Sequence, residues 1–454
     1  MTLTPAALIE REQRAFAASR PAGAALATRA RVHWLSGVPL HWMADWGTPF
    51  PLAVTEATGV TLRDVDDHAY TDFCLGDTGA MFGHAPSAVA SAIAAQAPRG
   101  LTCMLPAASA AAVGEALAAR FGLPYWQLTH TASEANRAVL RWARAITRRP
   151  KVLVFHGAYH GIVDETIVRR RGGRTVAREG SIGPAFDVTC AATVVEFNDP
   201  EGLEAALRTG EIAAVIAEPV MTNVGMVLPQ DGFLSTLRAL TRATGTLLVI
   251  DETHTLSSGP GGYAAVYGLE PDLWVCGKAI AGGLACAVYG FTGEIEAAMR
   301  EVLARRAADP LAGGPGSHSG MGTTLAANPL VLAALEAALA QLHTPETYAP
   351  MLRGASRLAA GLAREIAVRG LDWHVSQVGA RVEFGFGPAP RNGSESEHAR
   401  RPQLEEALHL WLLNRGLLVT PFHNMMLTAP MLSETAIDAL CAEVGAFLRT
   451  VELA

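Results

Sequence analysis

Thr246 to Gly283, TLLVIDETHTLSSGPGGYAAVYGLEPDLWVCGKAIAGG, carries the residues with the plainest chemistry in this chain. The apolar run Leu247 to Ile250 ends in Asp251-Glu252, and the run Leu273-Trp274-Val275 leads through Cys276 and Gly277 to Lys278. Both runs are short, rich in β-branched or aromatic residues and bounded by turn formers, the pattern of buried strands in an α/β sheet. A carboxylate and an amine at the carboxyl ends of two such strands face the crevice where open α/β sheets bind ligands. That pairing suits pyridoxal phosphate chemistry. The lysine forms a Schiff base with the cofactor aldehyde, and the acid keeps the pyridine nitrogen protonated so that the ring acts as an electron sink. Taken alone, the same two residues also read as a strand-end cap and a solvated lysine.

Further motifs follow one another along the chain. They are Asp64-Val-Asp-Asp67, Gly83-His84, Thr131-Ala-Ser-Glu-Ala135, Tyr159-His160-Gly161, Glu218-Pro219, Asn223-Val-Gly225, Lys278-Ala-Ile-Ala-Gly282-Gly283 and Thr324-Leu-Ala-Ala-Asn328-Pro329. In this order, from about Pro51 to the end, the set resembles the class III aminotransferases. Within that family, Glu218 to Glu252 is most similar to the glutamate-1-semialdehyde aminomutases, and Phe50-Pro51-Leu52 to the β-phenylalanine aminotransferases. The resemblance implies a fold type I pyridoxal-phosphate-dependent transferase of α/β class. Its central sheet would be mainly parallel with helices on both faces, and a smaller α+β domain would accompany it. It also implies a homodimer with shared active sites. The implied activity is a transaminase moving an amino group between an amine or amino acid donor and a keto or aldehyde acceptor through Lys278. The alternative is an aminomutase or epimerase acting on a small amino acid.

The resemblance carries over to individual positions. Lys278 and Asp251 would be catalytic. The amides of Ala132 and Ser133 and the Ser133 hydroxyl would hold the cofactor phosphate, as a helix N-terminus does naturally. Thr131-x-x-Glu134 by itself also reads as an ordinary capping box, and the family usually has glycine where Ala132 stands. Tyr159 would stack on the pyridine ring, and Thr253 would touch its other face, where the family more often has Val or Ile. His254 reads as a structural hydrogen-bonder without an assigned role. Asn223 would contact the phenolic oxygen, and Glu218 would order the pocket or the substrate. Thr324 lies in a Gly-rich stretch and would reach the phosphate of the neighbouring subunit. The family's carboxylate-binding arginines are missing: the chain reads Pro39-Leu-His-Trp-Met-Ala-Asp45 at one place and Pro421-Phe422-His423-Asn424 at the other. Trp42, Trp46, Phe422 and Met425 instead point to an apolar entrance, with Trp42, Glu218 and Phe422 as substrate contacts.

The 454 residues divide by this reading into an N-terminal arm with part of a small domain (1–75), a large cofactor domain (76–335) and a C-terminal small domain (336–454). Strands are expected at 125–129, 151–155, 212–217, 247–250, 273–275 and 286–292, alternating with helices as in βαβ units. An apolar helix at 330–342 would lead into the last domain, with helices near 351–368, 403–415 and 434–451. The polar stretch 388–402 reads as a loop or mobile insertion. The net charge of −7, with no basic block beyond Arg169-Arg170-Arg171, argues against nucleic acid. No apolar stretch is long enough to span a bilayer. The six cysteines and 14 histidines lack metal-site spacing. An N-terminus without a signal core points to the cytoplasm.

Overall fold

The computed structural model describes residues 2–184, 186–308 and 319–453. The chain divides into two compact units, one formed by Met1–Pro86, Glu346–Ala389 and Ala399–Ala454, the other by Ser87–Pro345 and Pro390–His398.

The second unit is built on a seven-stranded sheet. Its spatial order is Tyr125–Thr129, Ala287–Phe291, Leu273–Cys276, Leu247–Asp251, Ile212–Ala217, Lys151–Phe155 and Ala192–Val195. Ala287–Phe291 runs antiparallel to both of its neighbours, and the remaining pairings are parallel. Ile212–Ala217 and Leu273–Cys276 are buried at every position, which is why their sequences are continuous apolar runs without alternation. The edge strand Ala192–Val195, absent from the sequence expectation, is short and among the described residues pairs only with Lys151–Phe155. A hairpin, Val168–Arg171 with Arg174–Ala177, turns on Gly172 and Gly173, both at positive φ. The apolar helix Pro329–Gln341 is capped by the Asn328 side chain. It packs against the helices Ser87–Gln96 and Ala110–Phe121 and against the turn Lys278–Ala281.

The segment 388–402 is more ordered than its composition suggested. Gly393–Ala399 is a helix that belongs to the second unit up to His398. The Ser394 hydroxyl donates to Glu196 at 2.6 Å, and Arg171 pairs with Glu397 at 2.9 Å. Gly393 lies so close to the His156 carbonyl that any Cβ would collide with it. These anchors come from residues about 200 positions away, so local polarity gave no sign of them.

The first unit holds a four-stranded sheet (Val54–Thr58, Thr61–Asp64, Ala69–Asp72, Leu417–Leu418) and a three-stranded one (His374–Val378, Arg381–Gly385, Met425–Leu427). The helices Pro345–Val368, Pro402–Leu413 and Glu434–Thr450 supply most of its core. The Asp64 motif is structural here. Buried Asp64 accepts from the Tyr70 hydroxyl at 2.6 Å and lies 3.5 Å from the Arg20 guanidinium. Asp66 accepts the amides of Ala22 and Gly23 at the start of the helix Pro21–Ala30, and Asp67 takes the left-handed turn at φ 70°. Among the described residues no helix is long and apolar enough to cross a membrane, and no group of three or more His, Cys, Asp or Glu is placed to hold a metal ion.

Candidate active site

Asp251 closes the strand Leu247–Asp251 and is 4% exposed. Its Oδ2 accepts from Asn136 Nδ2 at 2.9 Å and meets His160 Nδ1 at 3.0 Å. Its Oδ1 accepts the Thr253 hydroxyl at 2.6 Å and the Thr253 amide at 3.1 Å. Burial by itself would raise the carboxyl, but the His160 hydrogen bond and charge, with Thr253 and Asn136, outweigh it and hold Asp251 at about 2. The Thr253 hydroxyl is thus spent on the carboxylate. His160 Nε2 and Asn136 Oδ1 are buried without a hydrogen-bond partner among the described residues, a polar surplus beside an ionised acid.

Lys278 follows the strand Leu273–Cys276 through Gly277 and opens the turn Lys278–Ala281 at φ 50°. A left-handed non-glycine residue is backbone strain of the kind that collects at functional sites. Its Nζ lies 2.9 Å from His254 Nε2. A Cβ on Gly277 would stand 3.1 Å from both the Cβ and the amide nitrogen of Ala132. The lysine loop therefore passes directly over the first residue of the helix Ala132–Thr147. Behind it, His343 Nε2 donates to the Ile280 carbonyl at 3.1 Å.

The helix Ala132–Thr147 is capped by Thr131, whose hydroxyl accepts the Glu134 amide at 3.3 Å. Glu134 reaches back to the His130 amide at 2.9 Å, one residue earlier than in a reciprocal capping box. The amides of Ala132 and Ser133 precede the first backbone bond into the helix, Ala135 to Thr131. They are donors at the positive end of the helix dipole. Ser133 Oγ accepts the Ile162 amide at 3.1 Å, and Gly161, at φ 82°, gives it the space a Cβ would take. Tyr159, 41% exposed, stands on the same loop.

Glu218 follows the strand Ile212–Ala217 and is buried. It accepts the Thr222 hydroxyl and, at 3.4 Å, Asn223 Nδ2. Burial pushes its carboxyl up, opposed by the charge of His160 and the Thr222 bond. Glu252 is wholly buried and accepts Trp274 Nε1 at 2.9 Å, the Ala264 amide at 2.7 Å, the Tyr263 amide and the Thr255 hydroxyl. Burial still pushes it up to about 6.

Within this unit, Ala132, Ser133, Asp251, Thr253 and Lys278 are therefore linked by direct contacts or through His160, Gly161 and Gly277. Thr324 instead lines a cavity of about 480 Å³ with Met104, Leu105, Trp126 and Leu332. The first part of its Gly-rich stretch, 313–318, lies outside the described residues. Trp42 and Phe422 belong to the other unit, where their rings pair at 6.3 Å, each 41% exposed. Met425 is buried in that unit's core and is no entrance residue. Sequence reading passed over Asn136 and left His254 without a role. The signal for Asn136 was a polar residue among Ala135, Ala138, Val139 and Leu140 on the buried helix face.

The donor set fits pyridoxal phosphate. An ionised acid suits a pyridinium nitrogen, helix-start amides suit a phosphate, and the loop that carries the Lys278 amine crosses the same helix start. A profile of the family "Aminotransferase class-III" matches residues 42–445. The chain is 34% identical over 380 residues to glutamate-1-semialdehyde 2,1-aminomutase of Desulforudis audaxviator, covering 82% of this chain and 84% of that one. A crystal structure of a glutamate-1-semialdehyde-aminomutase from Pseudomonas aeruginosa PAO1 superposes with a TM-score of 0.95 at 47% identity, over 99% of this chain and 98% of that one. A lysine-to-alanine variant of that protein is in complex with PMP. The β-phenylalanine aminotransferase from Variovorax paradoxus gives a TM-score of 0.84 at 26% identity, over 98% of each chain. With its ionised Asp251, its Lys278 turn and its matched helix start, the chain belongs to the class III aminotransferases, enzymes that work with pyridoxal 5'-phosphate.

Proposed function

We propose that this chain is a cytoplasmic, homodimeric transaminase that takes amino groups from amines more readily than from their carboxylated analogues. The observation that carries the amino-transfer reading is the Asp251 carboxylate kept ionised by His160, Asn136 and Thr253. Bound pyridoxal phosphate supplies the electron sink that stabilises the carbanion left when the donor's Cα–H bond breaks. Lys278 would hold the cofactor, and its Nζ would take the Cα proton and deliver it again. Asp251 would keep a proton on the ring nitrogen through its charge. Ala132, Ser133 and the helix dipole would hold the phosphate. Tyr159 and Asn223 would orient the ring and its phenolic oxygen, and Glu218 would order the pocket.

The dimer is supported by exposed apolar residues around the Thr324 cavity: Met104 at 79%, Leu105 at 70% and Leu325 at 54%. Such a patch marks an interaction surface, and a symmetric dimer would bring Thr324 to the phosphate of the second copy. The substrate preference is supported by the lack of an arginine at either of the family's carboxylate-binding places, Pro39–Asp45 and Pro421–Asn424. His423 is bound to Glu383 at 2.8 Å, and buried Arg381 donates to the Thr78 hydroxyl at 2.6 Å. Arg415 lies 3.3 Å from the centre of the Trp411 ring and pairs with Glu12 and Glu443. His423 and Arg415 are already paired with carboxylates, and a carboxylate entering an apolar site without a cation would lose several kcal/mol in desolvation.

The aminomutase names of the relatives support a second reading, in which the amino group stays on one carbon skeleton. The deciding experiment mixes the loaded enzyme with single donors, with and without an added keto acid, and follows cofactor absorbance and product. Turnover of amines that requires the keto acid supports the transaminase. Turnover of one amino compound without any acceptor establishes the aminomutase instead.

A further inference from the structure

His254 follows Asp251 by three positions, yet no part of the mechanism above uses it. We propose that His254 is a positioning residue for Lys278: its Nε2 accepts the Nζ proton and so holds the amine aimed and proton-loaded between its two transfers. The inference rests on the reading that Lys278 is the cofactor-bearing, proton-moving amine.

Both sides of the 2.9 Å contact are clamped. On the histidine side, the segment leaving the Asp251 strand is held at Glu252 by four donors and at Thr253 by its two bonds to Asp251. The Ser257 hydroxyl then donates to the His254 carbonyl at 2.9 Å, and every residue of the turn Thr255–Ser258 is buried. A Cβ on Gly262 would strike the Glu252 carboxylate, so the following helix can close over it only with glycine there. On the lysine side, His343 and the left-handed backbone at Lys278 hold the turn. The two nitrogens meet because two separately fixed loops bring them together, and His254 is itself only 6% exposed.

A contact of this length needs an N–H on one nitrogen and a lone pair on the other. With both groups protonated there is no acceptor and two like charges face each other. An acceptor for the ammonium favours the proton-loaded amine. That is the form Lys278 has after taking a Cα proton and before giving it up. The titratable groups around the pair are Asp251 and Glu252 on the histidine's strand and its exit, Cys276 on the adjacent strand, and Cys286 before the reversed strand. His160 and Glu218 act on Asp251 from the other side. Of these, the thiols are pushed up by burial and stay neutral.

The test compares His254→Phe, which keeps a ring but offers no acceptor, with His254→Gln, whose amide oxygen accepts. Cofactor-free protein is treated with an amine-acylating reagent from neutral to alkaline pH, and the Lys278 peptide is quantified by mass spectrometry. In His254→Phe, labelling at mildly alkaline pH should be several-fold faster than in the parent, because the amine is no longer held in a hydrogen bond, with His254→Gln close to the parent. In the loaded enzyme, His254→Phe should lower kcat with little change in KM and raise the isotope effect of a Cα-deuterated donor. Matching labelling profiles for folded His254→Phe and the parent overturn the inference. If His254→Phe does not fold, a His254→Gln profile displaced as far as that of His254→Ala overturns it equally. Borohydride reduction of the loaded enzyme keeps the two ideas apart. Cofactor fixed elsewhere than Lys278 defeats the underlying reading, whereas cofactor fixed on Lys278 with unchanged labelling defeats only the role of His254.

Discussion

Asp251 and Glu252 are adjacent and buried, yet their protons are held in opposite senses. Asp251 stays ionised because charged or strong donors converge on both oxygens; Glu252 faces neutral amides, an indole and a hydroxyl. With a folded value of about 2 against about 3.9 unfolded, Asp251 contributes stability above pH ~4 that is lost as pH falls through 2, on the order of 2 kcal/mol. With a folded value of about 6 against about 4.3 unfolded, Glu252 contributes most below pH ~4, and that contribution is lost as pH rises through 6. Thermal melts should therefore show stability rising as pH drops from about 7 to about 5, with Glu252→Gln lacking that rise. For catalysis, Asp251→Asn should keep the fold but lower kcat by ~10²-fold or more, since removing one preorganised electrostatic partner costs that much. A near-normal rate in steady-state assays would remove the electron-sink role of this residue.

At the scale of elements, the cofactor-type site is a meeting of strand ends with one helix start, and two glycines set how closely they approach. Gly161 leaves room for Ser133 Oγ at a left-handed φ of 82°, and Gly277 lets the lysine loop cross Ala132. Gly161→Ala should destabilise by roughly 2–4 kcal/mol, combining left-handed strain with a buried clash. It should also weaken phosphate anchoring, seen as faster loss of cofactor on dialysis than in Gly172→Ala, where a Cβ meets nothing within 4 Å. Gly393 makes the same argument for the helix Gly393–Ala399. Gly393→Ala should release that helix, and hydrogen exchange of 393–399 should rise while the central strands stay protected.

For the whole molecule, Leu101, Met104, Leu105 and Leu325 are all exposed, and the proposed dimer would cover them. Met104→Asp combined with Leu105→Asp should convert a dimer into monomers by light scattering, with loss of cofactor retention. Thr324→Ala should leave the dimer intact and weaken cofactor binding by about 1–3 kcal/mol, the worth of one hydrogen bond to a charged group. A monomer that holds cofactor as tightly as the parent would defeat the shared site.

The sequence by itself determined the strands that end in Asp251 and lead to Lys278, the helix start at Ala132 and the order of the family motifs. Each of these is local: a buried strand must be apolar along its length, and a helix start needs a capping residue. Only the tertiary structure decided what depends on residues far apart in the chain. Asn136 reaches Asp251 across 115 positions, and Lys278 meets His254 across 24. Ala287–Phe291 is a reversed strand because the chain turns back between two strands running the other way. The helix 393–399 stands on Glu196 and His156, and Arg381 and Arg415 reach Thr78, Glu12 and Glu443. Periodicity and capping act over a few residues and leave marks in the sequence there. Hydrogen bonds and ion pairs between distant segments leave no such pattern, because their geometry exists only once the core has brought the segments together.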